Sequence, residues 1–466
     1  MESLARTANR GSVSTGYDID NSAAFGGANG IQFNPSSDGN RRTWTVSLWL
    51  KRSELSTETT IFGSQNTVMV LMDPDWFRFS LYTGSATYYF DTENSGPVYR
   101  DTSAWYNFVF QCDTTQGTAS DRAKLWVNGE SVTNTNSNTI PQNAEFDLND
   151  NTKNIQVGYF YAGNEQLDGY LSEIHFTDGV ANDADAFGEY DNDSGIWKPK
   201  AYAGSYGTNG FYLEFKESAA SATGIGKDTS GNGHNFSTGG TYPSQATDTP
   251  TNNFCTLNPV IPYSVQSGTP AISLGATAHN GSGGWTGMKG TIGVNKGKWY
   301  WELSTNSGTG AELIHGIQTV NSASGESTAT SAHNLLETAA WYVNGGHWIK
   351  DETSGRDDIA AGSITQTYGN SVIHAVALNM DDGEITYYAN GSVVSGLNQV
   401  DLDGLDGEIV SPFASVYNQA VEWNFGGYTN ISISSSATDA NGYGTFEYAP
   451  PSGYYALCTE NLAEFG

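Results

Sequence analysis

The chain has 466 residues, with 50 Asp and Glu against 20 Lys and Arg and a formal net charge of -30. Such a balance argues against nucleic acid and anionic membranes as partners, because phosphate binding needs a basic footprint. With 55 glycines for turns and 12 % aromatics for strands, the length predicts two large all-β domains.

Residues 1–20 mix Ser, Thr, Gly and Arg and read as an arm or tether rather than core. Arg6 and Arg10 are followed by no apolar region of the kind a secretory signal needs, and no run is long and apolar enough to insert in a membrane. From Thr43 to Leu50 the pattern turns strictly alternating. Trp44, Val46, Leu48 and Leu50 fall on one face, with Thr43, Thr45, Ser47 and Trp49 on the other, which predicts a half-buried strand. Further strands are expected at 67–72, 76–82, 87–91, 105–112, 124–127, 155–161 and 170–176. Short strands at regular spacing with no helical period between them indicate a sandwich. Residues 21–185 are therefore assigned to a first sandwich.

Residues 186–260, rich in Asp, Asn, Gly and Ser, read as closing strands and a connector around the single strand-like island Phe211–Phe215. Residues 261–466 form the second sandwich, with strands expected at 297–303, 314–317, 373–380, 384–389, 412–417 and 421–425. Residues 332–340 fit a short helix or an irregular loop. Asn128-Gly129 and Asn390-Gly391, each between apolar runs, predict one tight hairpin in each half, since both turn positions need positive φ. Cys112, Cys255 and Cys458 are far apart and form no CxxC pair, which favours buried thiols in a protein made in a reducing cytoplasm.

The segments TVSLWLKR (45–52), WYNFVF (105–110), KLWVNG (124–129) and LDGYLSEIHF (167–176) occur in the order of the laminin-G-like, concanavalin-A-like jelly rolls, which the first half resembles. In the second half, KWYWEL (298–303), VALNMDDGEITYYANG (376–391), Pro412-Phe413 and Asn424-Phe425-Gly426 resemble the SPRY family of bent sandwiches. There Asn379 stands where that family usually has an Asp. The combination, with the ends of the chain, resembles virion structural proteins of tailed bacteriophages: tail fibres, head fibres or capsid decorations. The resemblance implies a virion location, other virion proteins and host surface polysaccharide as partners, and a homo-oligomer, commonly a trimer in phage fibres. It implies adhesion to host glycans, with a polysaccharide depolymerase or a ligand-free structural decoration as the alternatives.

The residues give no catalytic constellation. Retaining glycan hydrolases need two carboxylates about 5–5.5 Å apart. The nearest pattern, Glu189-Tyr190-Asp191-Asn192-Asp193-Ser194, lacks its second Glu and reads as a loop. The seven histidines include none in a nucleophile context, and His347 reads as a turn residue. The expectation is a non-enzyme. The residues indicate no resident organic cofactor. Calcium is the one candidate, at Asp401, Asp403 and Asp406, at Asp147 with Asp150, or at Asp191 with Asp193, because clustered carboxylates supply part of its oxygen shell. Aromatic residues in irregular segments, namely Trp285, Trp341, Tyr342 and Trp348, are the candidate glycan platforms.

Overall fold

The computed structural model describes residues 16–159, 166–260, 269–305, 312–322, 337–344, 346–350, 357–359, 364, 368–402, 404–405 and 407–466. The molecule is almost entirely β-sheet, and each of its two units is built around facing antiparallel sheets.

The N-terminal unit runs to Thr251. Its first sheet has the order Glu130–Val132, Ala123–Val127, Trp105–Asp113, Thr43–Arg52, Asp168–Asp178, Ser22–Gly26, Ser244–Ala246, with Phe211–Leu213 also paired to Asp168–Asp178. The second sheet has the order Ser237–Thr238, Ile31–Phe33, Ile155–Val157, Thr59–Ser64, Thr67–Met72, Trp76–Tyr82, Thr87–Asp91. Alternation puts Trp44, Val46, Leu48 and Leu50 into the space between the sheets, where all are fully buried. Trp44 meets Phe79 and Phe110 there, and Phe77 stacks on Phe108 with ring centroids 5.6 Å apart.

The other face of the 43–52 strand is not open to water, contrary to its half-buried reading. Thr45, Ser47, Trp49 and Lys51 are at most 5 % exposed. The cause is the chain after Asp178, which returns over this face. The Thr45 hydroxyl donates to the Val180 carbonyl, and Trp197 donates from Nε1 to Asn107. Asp248 accepts from Lys51 and from Trp105. Residues 186–251 thus complete the first sandwich, partly as strands within its sheets and core and partly as a cover over this face. Residues 252–260 belong with the second unit, where Phe254 bridges Cys458 and Leu257 bridges Gly290.

The C-terminal unit has a sheet of order Thr269–Ser273, Ala278–Ser282, Ala420–Asn424, Lys298–Thr305, Ile373–Asn379, Glu384–Ala389, Ser392–Val393, with Val400–Asp401 and Tyr455–Ala456 attached off this path. The facing sheet has the order Trp285–Lys289, Val410–Tyr417, Leu313–Thr319, Thr338–Tyr342, Gly346–Lys350, Asp357–Ile359. Trp299, Trp301, Leu303, Val376, Leu378, Trp341 and Trp423 fill the core. Part of the segment expected to be a helix or loop, Thr338–Ala340, is strand, paired to both neighbours; residues 332–336 lie outside the described residues. His347 is likewise a strand residue, opposite Trp341, because the chain pairs on through 346–350. The one α-helix among the described residues, Thr459–Phe465, is two turns long, too short for a periodic signal, and buries Leu462.

Both Asn-Gly turns have the required backbone. Asn128 and Gly129 have φ of 50° and 80°, and Asn390 and Gly391 have 47° and 74°. A side chain at either glycine would also meet an aromatic ring, Trp197 or Tyr448.

Candidate functional site

The N-terminal unit carries an open groove of about 570 Å³ at one edge of its sandwich. One wall is the loop 95–99 that follows the edge strand Thr87–Asp91. This loop is rigid for identifiable reasons. The Gly96 amide donates to the Thr92 carbonyl, and the Thr92 hydroxyl donates to the Pro97 carbonyl. Beneath it the buried Arg52 guanidinium donates from Nη1 to the Tyr99 carbonyl at 2.7 Å and to Asp75 at 2.8 Å. Burial of Arg52 lowers its pKa, opposed by the hydrogen bond to Asp75. Arg100 approaches the other Asp75 oxygen at 3.2 Å. The bond from Arg52 to the Tyr99 carbonyl ties the wall to this buried pair, while Arg52 Nη2 has no hydrogen-bond partner among the described residues. On top, Val98 presents its side chain to solvent, 52 % exposed.

Two tyrosines lie at the base of the groove, Tyr106 part-buried and Tyr99 only 3 % exposed. Tyr99 and Tyr106 meet edge to face with centroids 5.6 Å apart, and the Tyr106 hydroxyl accepts from the Asp101 amide. Burial pushes the Tyr106 phenol up to about 12. The second wall is the Asn128-Gly129 hairpin and the chain after it. The Asn128 side chain accepts from the Asn107 amide at 2.7 Å, and Thr135 closes the end of the groove by donating to Asp91. Ser131, Thr133 and Thr135 add hydroxyls. Glu130 is the single carboxylate and the single charged residue of the lining among the described residues. Its Oε1 accepts from the Tyr190 hydroxyl at 2.7 Å, and that bond pushes the Tyr190 phenol up to about 12. Tyr190 is 43 % exposed and leans edge-on against Trp197, so it extends the rim with an aromatic face.

This site comes from residues that are far apart in sequence. Glu130 follows the hairpin cue directly, and Tyr190 lies within the segment Glu189–Ser194 read as a loop. That segment is half strand: Gly188–Tyr190 pairs with Trp197–Pro199, and Asp191 closes the turn by accepting from the Ser194 amide and hydroxyl. These bonds lower the Asp191 carboxyl to about 2. Glu189 faces Lys198 at 3.6 Å.

The aromatic candidates of the C-terminal unit separate. Trp341 is fully buried between the sheets, against His315, His374 and Tyr387, so it offers no face to a ligand; strand alternation points it inward. Its neighbour Tyr342 therefore points outward, where it meets Trp285 with centroids 6.0 Å apart and donates to Glu312. Trp285 is only 7 % exposed. Trp348 is paired with Ala340, and its side chain lies outside the described residues. Of the acidic candidates, Asp401 is exposed and paired with Glu384, while Asp403 and Asp406 lie outside the described residues. Asp147 and Asp150 face the Arg41 guanidinium, at 4.0 and 3.3 Å, where a cation would otherwise sit. Among the described residues no group of three or more His, Cys, Asp or Glu is arranged to hold a metal ion.

Residues 25–186 match the family model described as the concanavalin A-like lectin/glucanases superfamily, Laminin_G_3. The match covers most but not all strands of the first sandwich and includes the lining of the groove but not Tyr190. No curated protein matches the chain. Among solved structures, the chain is similar to the SPRY domain of human HERC1, at 14 % identity over 34 % of this chain and 96 % of that one, with a TM-score of 0.26. It is also similar to the native heptameric SAP-like pentraxin from Limulus polyphemus, at 15 % identity over 36 % of this chain and 79 % of that one, with a TM-score of 0.27.

Proposed function

We propose that this protein binds carbohydrate without cleaving it and serves as an adhesive surface component of a tailed-phage particle. The observation that carries the binding role is the groove. It has the part-buried Tyr106 at its base, an exposed apolar lip, a row of hydroxyls and one carboxylate, in a region that matches a lectin and glucanase superfamily. Sugars present apolar C–H faces and many hydroxyls, which such a mixed lining complements. Its size lies within the range typical of ligand sites. A lining with one carboxylate among the described residues supports a non-catalytic role, since glycoside hydrolysis needs a pair.

The virion location is supported by the resemblance of the sequence to phage structural proteins. Three free, buried cysteines suit synthesis in a reducing cytoplasm. In this reading the partners are other virion proteins and host surface polysaccharide, and the working form is a homo-oligomer. Labelling of purified virions with a specific antibody, viewed by electron microscopy, tests the location; signal on the particle is expected, and its absence from purified virions overturns that part. Incubation with host polysaccharide tests the chemistry. Retention of protein on the polysaccharide with no rise in reducing ends is expected, whereas a steady release of reducing ends makes the protein a depolymerase.

A further inference from the structure

We infer that the groove selects uncharged sugars over anionic ones, with Glu130 as the residue that sets this selectivity by accepting a pair of sugar hydroxyls. The inference rests on the carbohydrate-binding reading and narrows it to a site and a ligand class.

The argument starts from the donors and acceptors around Glu130. Of its two carboxylate oxygens, Oε1 is held by the Tyr190 hydroxyl at 2.7 Å. That bond fixes the carboxylate on an exposed edge strand, where a glutamate would otherwise sample several rotamers. Oε2 takes no donor from the described residues. A carboxylate oxygen accepts more than one hydrogen bond, and neighbouring hydroxyls of a hexose are donors at the right spacing to reach one carboxylate together. Among the described residues the groove has no Lys or Arg in its lining to receive a uronate, sulfate or sialate group. Of the two nearby guanidiniums, Arg52 is buried against Asp75, and Arg100, whose side chain is 53 % exposed, pairs with the same carboxylate and is not part of the lining. The whole chain adds a net charge of -30, so an anionic glycan is repelled both at the site and at long range.

The apolar elements complete the fit. Val98 in the loop wall is 52 % exposed, and Tyr190 on the rim is 43 % exposed. A sugar with hydroxyls on Glu130 can lay its C–H face against either of them. Asn128 and the hydroxyls of Ser131 and Thr135 line the wall along which further sugar residues would run.

The test uses the full chain and four polysaccharide probes in one pull-down and calorimetry series: dextran, mannan and laminarin as neutral probes and alginate as an anionic one. Three variants accompany the wild type. Glu130→Gln keeps shape and a weaker acceptor, Val98→Asp alters an exposed lip, and Glu130→Lys reverses the charge. All three sit on exposed positions, and melting temperatures at the wild-type value verify folding. A carboxylate accepts a hydrogen bond more strongly than a neutral amide oxygen does. Glu130→Gln is therefore expected to weaken binding of a neutral probe by about tenfold. Val98→Asp is expected to weaken it similarly, and Glu130→Lys to abolish it while gaining retention on alginate. Wild-type binding to a neutral probe that is unchanged in all three variants overturns the groove and leaves the carbohydrate reading standing. A wild-type preference for alginate over the neutral probes overturns the selectivity. No binding to any probe, in protein that melts normally, overturns the site together with the reading it rests on.

Discussion

Lys51 has no water to solvate its ammonium group. Its side chain is 0 % exposed, and Asp248, 2.6 Å away, is only 1 % exposed. The second Asp248 oxygen accepts from Trp105 Nε1, and the Tyr170 ring centroid lies 5.8 Å from the ammonium. Each charge is acceptable in this place because of the other. A buried pair contributes little net stability, but removing one partner leaves an uncompensated charge and costs about 3–5 kcal/mol. Asp248→Asn is therefore expected to destabilise the N-terminal unit by about that amount, although it changes almost no volume. Lys51→Met added to it should recover most of the loss, because the double variant buries no charge. Urea unfolding of the two variants decides this. A loss below about 1 kcal/mol for Asp248→Asn would mean the pair behaves like one on the surface.

At the scale of the element, the Asn128-Gly129 hairpin joins local backbone demand to tertiary packing. Gly129 has φ of 80°, where an L side chain costs about 1–2 kcal/mol, and a Cβ there would also collide with the Trp197 ring. Gly84 has nearly the same φ, 85°, but a Cβ there would stand in open space. Gly84→Ala is thus expected to cost only the backbone strain, and Gly129→Ala about 1–3 kcal/mol more for overpacking. Equal losses in thermal unfolding would show that Trp197 yields freely. Because Glu130 is the next residue, Gly129→Ala should also weaken any ligand held in the groove, which Gly84→Ala should not. The same hairpin explains how far the sequence can be read. Period-two alternation at Thr43–Leu50 and two Asn-Gly pairs are local signals, and they identify strands, turns and the two-sandwich plan. The cover over the first sheet is not visible in the sequence, because residues 180–251 contribute isolated anchors such as Trp197 and Asp248 rather than a repeating pattern. The groove escapes for a related reason. Its walls come from 95–99, Tyr106, 127–135 and Tyr190, and no short segment contains both an aromatic face and the acceptor. Trp341 reads as an exposed platform only because its neighbours in sequence are irregular; the strand that places it in the core pairs across the sheet.

For the molecule as a whole, response to acid should be dominated by the interior of the C-terminal unit. His374 is fully buried, packed against His315 and Trp341 with ring centroids 5.2 Å away in each case, and neither of its ring nitrogens has a hydrogen-bond partner among the described residues. His279 is equally buried and meets Thr286 through Nε2, with Nδ1 unpartnered among the described residues. Burial lowers both to about 3. A histidine with a lowered folded pKa binds its proton in the unfolded chain first. Stability is therefore complete above the unfolded value, about 6.5, and is lost progressively as the pH falls toward about 3. Glu302 acts in the opposite sense. Burial raises its pKa, so a fall in pH relieves part of its cost, although the amides of Glu447 and Tyr448 already hold the ionised form. Two histidines against one partly compensated glutamate leave a net loss on the order of a few kcal/mol between about pH 6.5 and 4. In the N-terminal unit the lowered carboxyls, Asp113, Asp150 and Asp191, give up their contribution only in the carboxylate range. Hydrogen exchange read by peptide from about pH 7 to 4 should accordingly show the strands 298–305 and 373–379 losing protection before the 43–52 strand does. Replacing His374 with Phe, which fits an aromatic site and carries no proton, should flatten that pH dependence. An unchanged slope in the variant would assign acid sensitivity to other groups and leave the His374 cluster a passive part of the core.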